Sequence, residues 1–268
     1  FSSRRRHTRY GTVTGVQTCA LPILMDNVVG TCNLLNYAKD LRVKPYFYYF
    51  STDEVFGPAP ESVNYDEYDR YNSGNPYSAS KAGGEELAVA FRNTYNLPVV
   101  ITHTMNVFGP RQHPEKFIPN TIHKVRTGET VTVHADSTKT QAGSRFYIHA
   151  EDVADALLFI DRKHEDQYLR RNGVDKCGVP IASHCPKYNI VGSQEIDNLQ
   201  LAQLIATCLQ QPLKFEMVDF HSSRPGHDLR YALSGERLKQ LGWKPKRLGN
   251  RLKETIDWYV NEGYHWLS

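Results

Sequence analysis

From Asp26 to Leu41 the apolar residues Val28, Leu34, Leu35, Ala38 and Leu41 recur at intervals that place them along one side of a helix. Pro45 closes that segment, and the aromatic run PYFYYFS reads as a buried strand. Residues 58–76 are dense in Pro, Gly, Asn, Asp and Tyr and read as a loop. A second helix is predicted over Tyr77–Tyr95, with Leu87, Phe91 and Tyr95 on one face, followed by the β-branched strand LPVVITHTMNVFG that stops at Gly109-Pro110. Glu151–Asp161 predicts a short amphipathic helix through Val153, Ala156, Leu157 and Ile160. Residues 163–186 mix charges with Gly and Pro and read as an insertion or long loop; beyond them, helices are predicted over Leu199–Leu209 and Arg251–Val260, separated by SRPGHDLRY.

Strand–helix–strand alternation argues for an α/β fold with a parallel sheet and functional groups at the C-terminal ends of its strands. The chain has 268 residues, 40% of them hydrophobic, enough for one large domain or two smaller ones. A net charge of +3 and a mean hydropathy of −0.53 predict a soluble protein with neither nucleic acid nor membrane as partner, and no apolar run reaches membrane-spanning length. The five cysteines form no CxxC pair and are odd in number, which fits reduced thiols in a cytoplasm better than a disulfide framework. Cys177, His184 and Cys185 lack a fourth ligand at finger-like spacing, so no metal is expected.

The candidate chemistry begins at the strand end. STDEVFG, residues 51–57, presents a hydroxyl and two adjacent carboxylates directly after the aromatic run. Two acids side by side repel each other wherever they are partly buried; the alternative is a strand turning into solvent. In YSASK, Tyr77 and Lys81 stand four apart at the start of a helix, on one face, so the ammonium can approach the phenol and lower its pKa towards working pH. A phenol so activated serves as a base for an alcohol. Taken alone, the spacing equally describes a solvated helix face.

STDEVFG after one strand, YSASK about two dozen residues later and NVFGPRQHPEKFIP after the next strand, in that order, resemble the extended short-chain dehydrogenase/reductase family, in its nucleotide-sugar branch. DNVVGT (26–31), GSRFYIHAEDVADA (143–156), YNIVGSQEIDNLQL and RPGHDLRY extend the resemblance over nearly everything from about residue 25 to the C-terminus. It implies a Rossmann-like parallel sheet with a smaller α/β substrate-binding domain. Residues 24–107 and 144–192 (with the insertion 163–186) would belong to the NAD-binding domain, and 108–143 with 193–268 to the substrate domain. Thr-Asp-Glu is similar to the dTDP-glucose 4,6-dehydratases and their UDP-glucose-using relatives; 4-epimerases carry small hydroxyl residues there, and decarboxylases Thr-Ser-Glu or Ser-Ser-Glu. The resemblance therefore implies an NAD-dependent hydro-lyase. Tyr77 would take the C4 hydroxyl proton, Glu54 the C5 proton, and Asp53 would protonate the departing C6 hydroxyl, with Thr52 bonding near O4. Ser51, Tyr77 and Lys81 would contact the cofactor. Asn106, Lys116, Phe117, Arg145, Asn198, Arg224 and His227 would contact the nucleotide sugar, although Asn106 could cap a turn, Lys116 could be solvated, and Asn198 could cap the helix starting at Leu199. Thr132 and His134 replace the Pro and Tyr that often flank the base, leaving dTDP against UDP open. An epimerase or decarboxylase, and a non-catalytic sugar-nucleotide-binding protein, remain the alternatives. A homodimer through the helices at 26–40 and 77–95 is the expected assembly.

Residues 1–23 fit none of this. The basic start and VTGVQTCA are too polar for a signal peptide, whereas Val13–Ile23 and Ser3–Arg9 back-translate into runs resembling a sequencing-library adapter and its primer. They are read as translated adapter. The G-x-x-G-x-x-G turn that the resemblance places after a first strand does not occur in residues 1–45, nor does the acid expected on the adenosine ribose. The parent gene is thus expected to encode an active dehydratase. The chain as written is expected to bind NAD poorly, to turn over negligibly and to present an unpaired sheet edge.

Overall fold

The computed structural model describes residues 20–167, 185–220 and 229–267. Ala20–Leu24 (α1), a π turn at Met25–Val29 and Gly30–Asp40 (α2) run on as one helical segment, and α2 buries Leu35 and Ala38. Phe47–Thr52 forms β1, Pro76–Tyr95 forms α3 and Val99–Thr104 forms β2, close to the predicted positions. After Val107–Phe108 (β3) comes a helix that the apolar pattern did not announce, Phe117–Thr127 (α4). Pro114 and Pro119 argue against it in sequence, but Pro119 lies in the first turn, where a missing N–H breaks no intrahelical bond. Val131–Ala135 (β4), Ser144–Phe146 (β5) and Ile148–His149 (β6) precede α5, which extends over Ala150–Gln167 and so takes in the start of the predicted insertion. Lys187–Ile190 (β7), Glu195–Asp197 (β8), Asn198–Leu209 (α6), Phe215–Asp219 (β9), Glu236–Gln240 (α7) and Leu248–Asn261 (α8) complete the described elements.

The main sheet has the order β1-β2-β7, all parallel, with Phe47 opposite Val99 and Ile101 opposite Lys187. β2 is buried from Val99 to His103, as a central strand covered on both faces must be. Among the described residues no strand pairs with the outer edge of β1, where Phe50 stays exposed. Behind the sheet, α5 packs Val153, Ala156 and Ile160 against Tyr188 and Ile190. A separate core joins α4, α6 and α8 through Ile118, Ile122, Leu201, Ile205, Leu252 and Ile256. Its edge carries the parallel pair β4–β9 and the antiparallel pair β5–β8. Arg251 of α8, itself buried, donates to Asp152 of α5 and so ties that core to the sheet layer.

Helix α3 meets the sheet through a buried charge. Glu85 has no exposed side-chain surface, yet accepts from Lys187 Nζ at 2.7 Å, from Tyr71, and from His103 Nε2 at 3.2 Å. Burial pushes its pKa up, but His103 and Lys187 outweigh that and hold the carboxyl below its usual range. One residue earlier, Gly84 lets the helix touch neighbouring backbone: a Cβ there would stand 2.7 Å from the Asn27 carbonyl oxygen and would collide with the Tyr49 hydroxyl. That hydroxyl instead donates to the Lys81 carbonyl at 2.9 Å. Glu85→Ala strands the Lys187 and His103 donors without their carboxylate, and is expected to cost about 3–5 kcal/mol of stability in urea denaturation.

Candidate active site

β1 delivers its last residues to the C-terminal edge of the sheet, and the chain turns at once into a 3-10 helix, Asp53–Phe56. Thr52 caps this turn, accepting from the Glu54 N–H at 3.4 Å and donating to Asp53 Oδ1 at 2.9 Å. Gly57 ends the turn with φ of +76°, and the Asn72 carbonyl presses where a side chain would start. The solvated strand end is therefore not what forms: Ser51, Thr52 and Asp53 are buried and Glu54 is half-buried. Burial first, and then the charge of Glu54, push the Asp53 pKa up to about 6, against the pull of Arg145 and Thr52. Asp53 Oδ2 is buried and meets no hydrogen-bond partner among the described residues, and Asp53 is one of the residues lining the cavity. The raised pKa favours its protonated form.

Tyr77 stands in the first turn of α3, beside these acids. Its phenol differs from the sequence expectation: it is pushed up to about 12, by burial and then by Glu54 and Asp53, while Thr52 pulls it down. The ammonium of Lys81 lies 4.7 Å from the centre of the Tyr49 ring, and burial pushes its pKa down. The i,i+4 spacing is present, but burial and the carboxylates rather than the lysine set the phenol.

A cavity of about 620 Å³ opens over this edge. Ser51, Thr52, Asp53, Glu54 and Tyr77 form one wall, and Asn106, Lys116, Phe117, Arg145 and Asn198 form the others. Lys81 is the described candidate that does not line it; Arg224 and His227 lie outside the described residues, as do Cys177 and His184. Asn106 is exposed just past β2. Lys116 precedes α4 without capping it by its side chain, and Phe117 begins that helix. Asn198 is not the helix cap: Asp197 takes that place through the Gln200 N–H, and Asn198 Oδ1 accepts from the Tyr147 hydroxyl at 2.7 Å. Arg145 directs Nη1 to the Ser144 and Leu229 carbonyls and sets its plane 4.7 Å from the Tyr231 ring centre.

The sequence reading missed Thr104, Tyr147, Phe220 and Tyr231, which also line the cavity. Tyr147 follows Arg145 by two residues and Tyr231 closes the RPGHDLRY motif, so both carried a positional signal. Thr104 and Phe220 carried none. The hydroxyls of Ser51 and Thr104 are buried here without partners among the described residues.

A parallel sheet whose strand ends bring Thr-Asp-Glu against a helix-borne Tyr-Lys pair defines an α/β enzyme scaffold of the dinucleotide-binding kind. The NAD dependent epimerase/dehydratase family matches residues 11–169, and the chain belongs to that family. It is 35% identical over 244 residues to the low-salt glycan biosynthesis protein Agl12 of Haloferax volcanii, covering 91% of this chain and 70% of that one. It is 33% identical to the dTDP-glucose 4,6-dehydratase of Escherichia coli, covering 90% and 68%, and 34% identical to the bovine dTDP-D-glucose 4,6-dehydratase, covering 90% and 63%. The chain thus spans about two-thirds of the length of these relatives. Among solved structures, it superposes with a TM-score of 0.76 and 30% identity on the dTDP-glucose 4,6-dehydratase DesIV of Streptomyces venezuelae, solved with NAD bound, over 95% of this chain and 72% of that one. The corresponding Bacillus anthracis enzyme in complex with NAD gives 0.74 and 30%, over 93% and 72%. The Rossmann-like fold and the family anticipated from the motifs are borne out. No helix among the described residues is long and apolar enough to cross a membrane.

Because the folded state raises the Asp53 pKa from 3.8 to about 6, the stability linked to its protonated form is complete below about pH 4 and is lost as pH rises through about 6. Asp53→Asn is therefore expected to stabilise the fold by on the order of 3 kcal/mol at pH 7–8. The gain should vanish below pH 4 in paired urea titrations.

Proposed function

We propose that this cavity is the active site of an NAD-dependent nucleotide-sugar 4,6-dehydratase, acting on dTDP-glucose or its UDP counterpart to give the 4-keto-6-deoxy sugar. The observation that carries this reading is the pair Asp53 and Glu54 beside Tyr77 in the cavity lining, with Asp53 held towards its protonated form. Elimination of water needs an acid and a base together, and unequal surroundings make one carboxyl serve as each. An epimerase, which exchanges a proton only at O4, has no use for the pair.

The unpartnered hydroxyl of Ser51 and the Tyr77 phenol belong to the cavity lining, and with the Lys81 ammonium one helical turn beyond Tyr77 they would hold the nicotinamide-ribose end of NAD. When bound, NAD supplies the hydride acceptor at C4 and the hydride donor at C6. The remaining steps belong to the chain. Tyr77 takes the O4 proton as phenolate, a form that burial and the two carboxylates oppose and that the positive charge of bound NAD beside Lys81 would favour. Thr52 orients the O4 hydroxyl. The C4 ketone acidifies C5, Glu54 removes the C5 proton, and Asp53 protonates the C6 hydroxyl so that it leaves as water. Glu54 then returns a proton to C5. Arg145, Lys116 and Asn198 hold the substrate, with Arg224 and His227 assigned to the nucleotide and Asn106 to the diphosphate.

The elimination half can be read without the cofactor. Supplied with dTDP-4-keto-6-deoxyglucose in D2O, the protein is expected to exchange the C5 proton, followed by proton NMR, and Glu54→Gln is expected to slow this by at least about a hundredfold. Exchange no faster than in buffer sinks the dehydratase reading. Nucleotide-sugar binding without exchange would favour a non-catalytic binding protein, and UDP-galactose formation from UDP-glucose would favour an epimerase.

We also propose a cytoplasmic homodimer formed through α2 and α3. Leu34 and Tyr37 of α2 and Tyr95 of α3 are exposed, as an apolar helical interface requires. Leu34→Lys with Tyr37→Lys is expected to shift the sedimentation coefficient from dimer to monomer.

A further inference from the structure

Helix α3 needs an N-terminal cap, and Ser, Thr or Asp would serve there as well as Asn. Asn75 does more than cap. Its Oδ1 accepts from the Ser78 N–H at 2.9 Å, while its Nδ2 donates to Glu54 Oε2 at 2.9 Å. The two contacts fix the amide the right way round, because a reversed amide would set Nδ2 against the Ser78 N–H and Oδ1 against a carboxylate. The Ser78 hydroxyl meets the Asn75 N–H at 3.2 Å and donates to the Asn75 carbonyl at 2.9 Å, so the backbone of Asn75 is held along with its side chain. A second tie joins the same two segments: the Asn72 N–H donates to the Val55 carbonyl at 2.8 Å, in the space left open by the missing side chain of Gly57. The turn carrying Asp53 and Glu54 is thereby stapled to the start of the helix carrying Tyr77.

We propose that Asn75 is a positioning residue, whose amide holds the Glu54 carboxylate in register with Tyr77 for proton transfer at C5. The inference rests on the dehydratase reading of the site. Of the side chains that cap helices well, asparagine carries its cap acceptor and its donor on two separate atoms, whereas a serine or threonine hydroxyl has both on one oxygen close to the backbone. Asp would cap equally well but set a second negative charge against Glu54, and Ser would cap without reaching it.

Asn75→Ser and Asn75→Asp therefore separate the two roles. Both are expected to keep the thermal midpoint and the affinity for dTDP near those of the parent protein, because the cap survives. C5 exchange of dTDP-4-keto-6-deoxyglucose in D2O is expected to fall by about a hundredfold in each. Exchange within twofold of the parent in both variants overturns the proposal, and so does a loss that follows a lowered thermal midpoint. A substrate-free readout decides the placement on its own. In protein labelled with 13C-carboxyl glutamate, with the Glu54 resonance assigned through Glu54→Gln, that resonance is expected to move in both Asn75 variants. If the parent protein shows no exchange, the dehydratase reading fails. The Glu54 resonance still judges Asn75, since an unmoved signal in the variants means the amide does not hold the carboxylate.

Discussion

A carboxylate with no exposed surface sits where helix α3 crosses the sheet, and the active-site geometry depends on it. Ionised Glu85 in that position is tolerable only because Lys187 from β7, His103 from β2 and Tyr71 from the preceding loop all point at it. Each partner comes from a different segment, so the interaction fixes the helix against both strands at once. Tyr77, Lys81 and Glu85 follow one another at four-residue intervals on the same helix face. Holding the third fixes the rotation of the first two. Gly84 sets how close the helix comes, and Tyr49 fills the contact with its hydroxyl on the Lys81 carbonyl and its ring under the Lys81 ammonium. The aromatic content of the first strand thus acts directly on the helix that carries Tyr77 and Lys81.

The two acids at the strand end differ because their surroundings differ. Asp53 is buried beside the charge of Glu54, which favours its protonated form against the pull of Arg145 and of the Thr52 hydrogen bond. Glu54 is more exposed and receives the Asn75 amide. The same capping residue that starts α3 therefore also bears on Glu54. Helix start, strand end and acid–base assignment form one local structure.

The far wall of the cavity is held by a different set of contacts. Arg230 grips Glu195 of β8 through Nε and Nη2 at 2.7 and 3.0 Å, and its other nitrogen reaches the Pro60 and Val63 carbonyls, each at 2.7 Å. The loop that follows the Asp-Glu turn is thus anchored to the strand that leads into Asn198. Tyr147 completes the wall by donating to Asn198. Positioning of the substrate side consequently depends on segments far apart in the chain, and disturbing the 58–64 loop transmits to the cavity.

Local pattern was enough for much of this protein. Apolar periodicity located α2, α3, α5, α6, α8 and the strands β1 and β2, because each buries one face or both and the spacing records which. Motif order was enough for the family, since STDEVFG ends β1, YSASK opens α3 and the segment around Arg145 lies in β5, in the order the resemblance expects. The rest required tertiary structure. α4 is hidden by its prolines until one of them is seen in the first turn. β4 and β9 pair across some eighty residues, and β5 and β8 across about fifty, through backbone hydrogen bonds that leave no periodic trace. The phenol of Tyr77 was expected to be lowered by its lysine neighbour, yet burial and two carboxylates raise it. Spacing along a helix shows which groups share a face, but not how deeply they are buried or which charges from elsewhere approach them. Asn75 reads as an ordinary cap in sequence; its bond to Glu54 exists only because the turn after β1 folds back against the helix start.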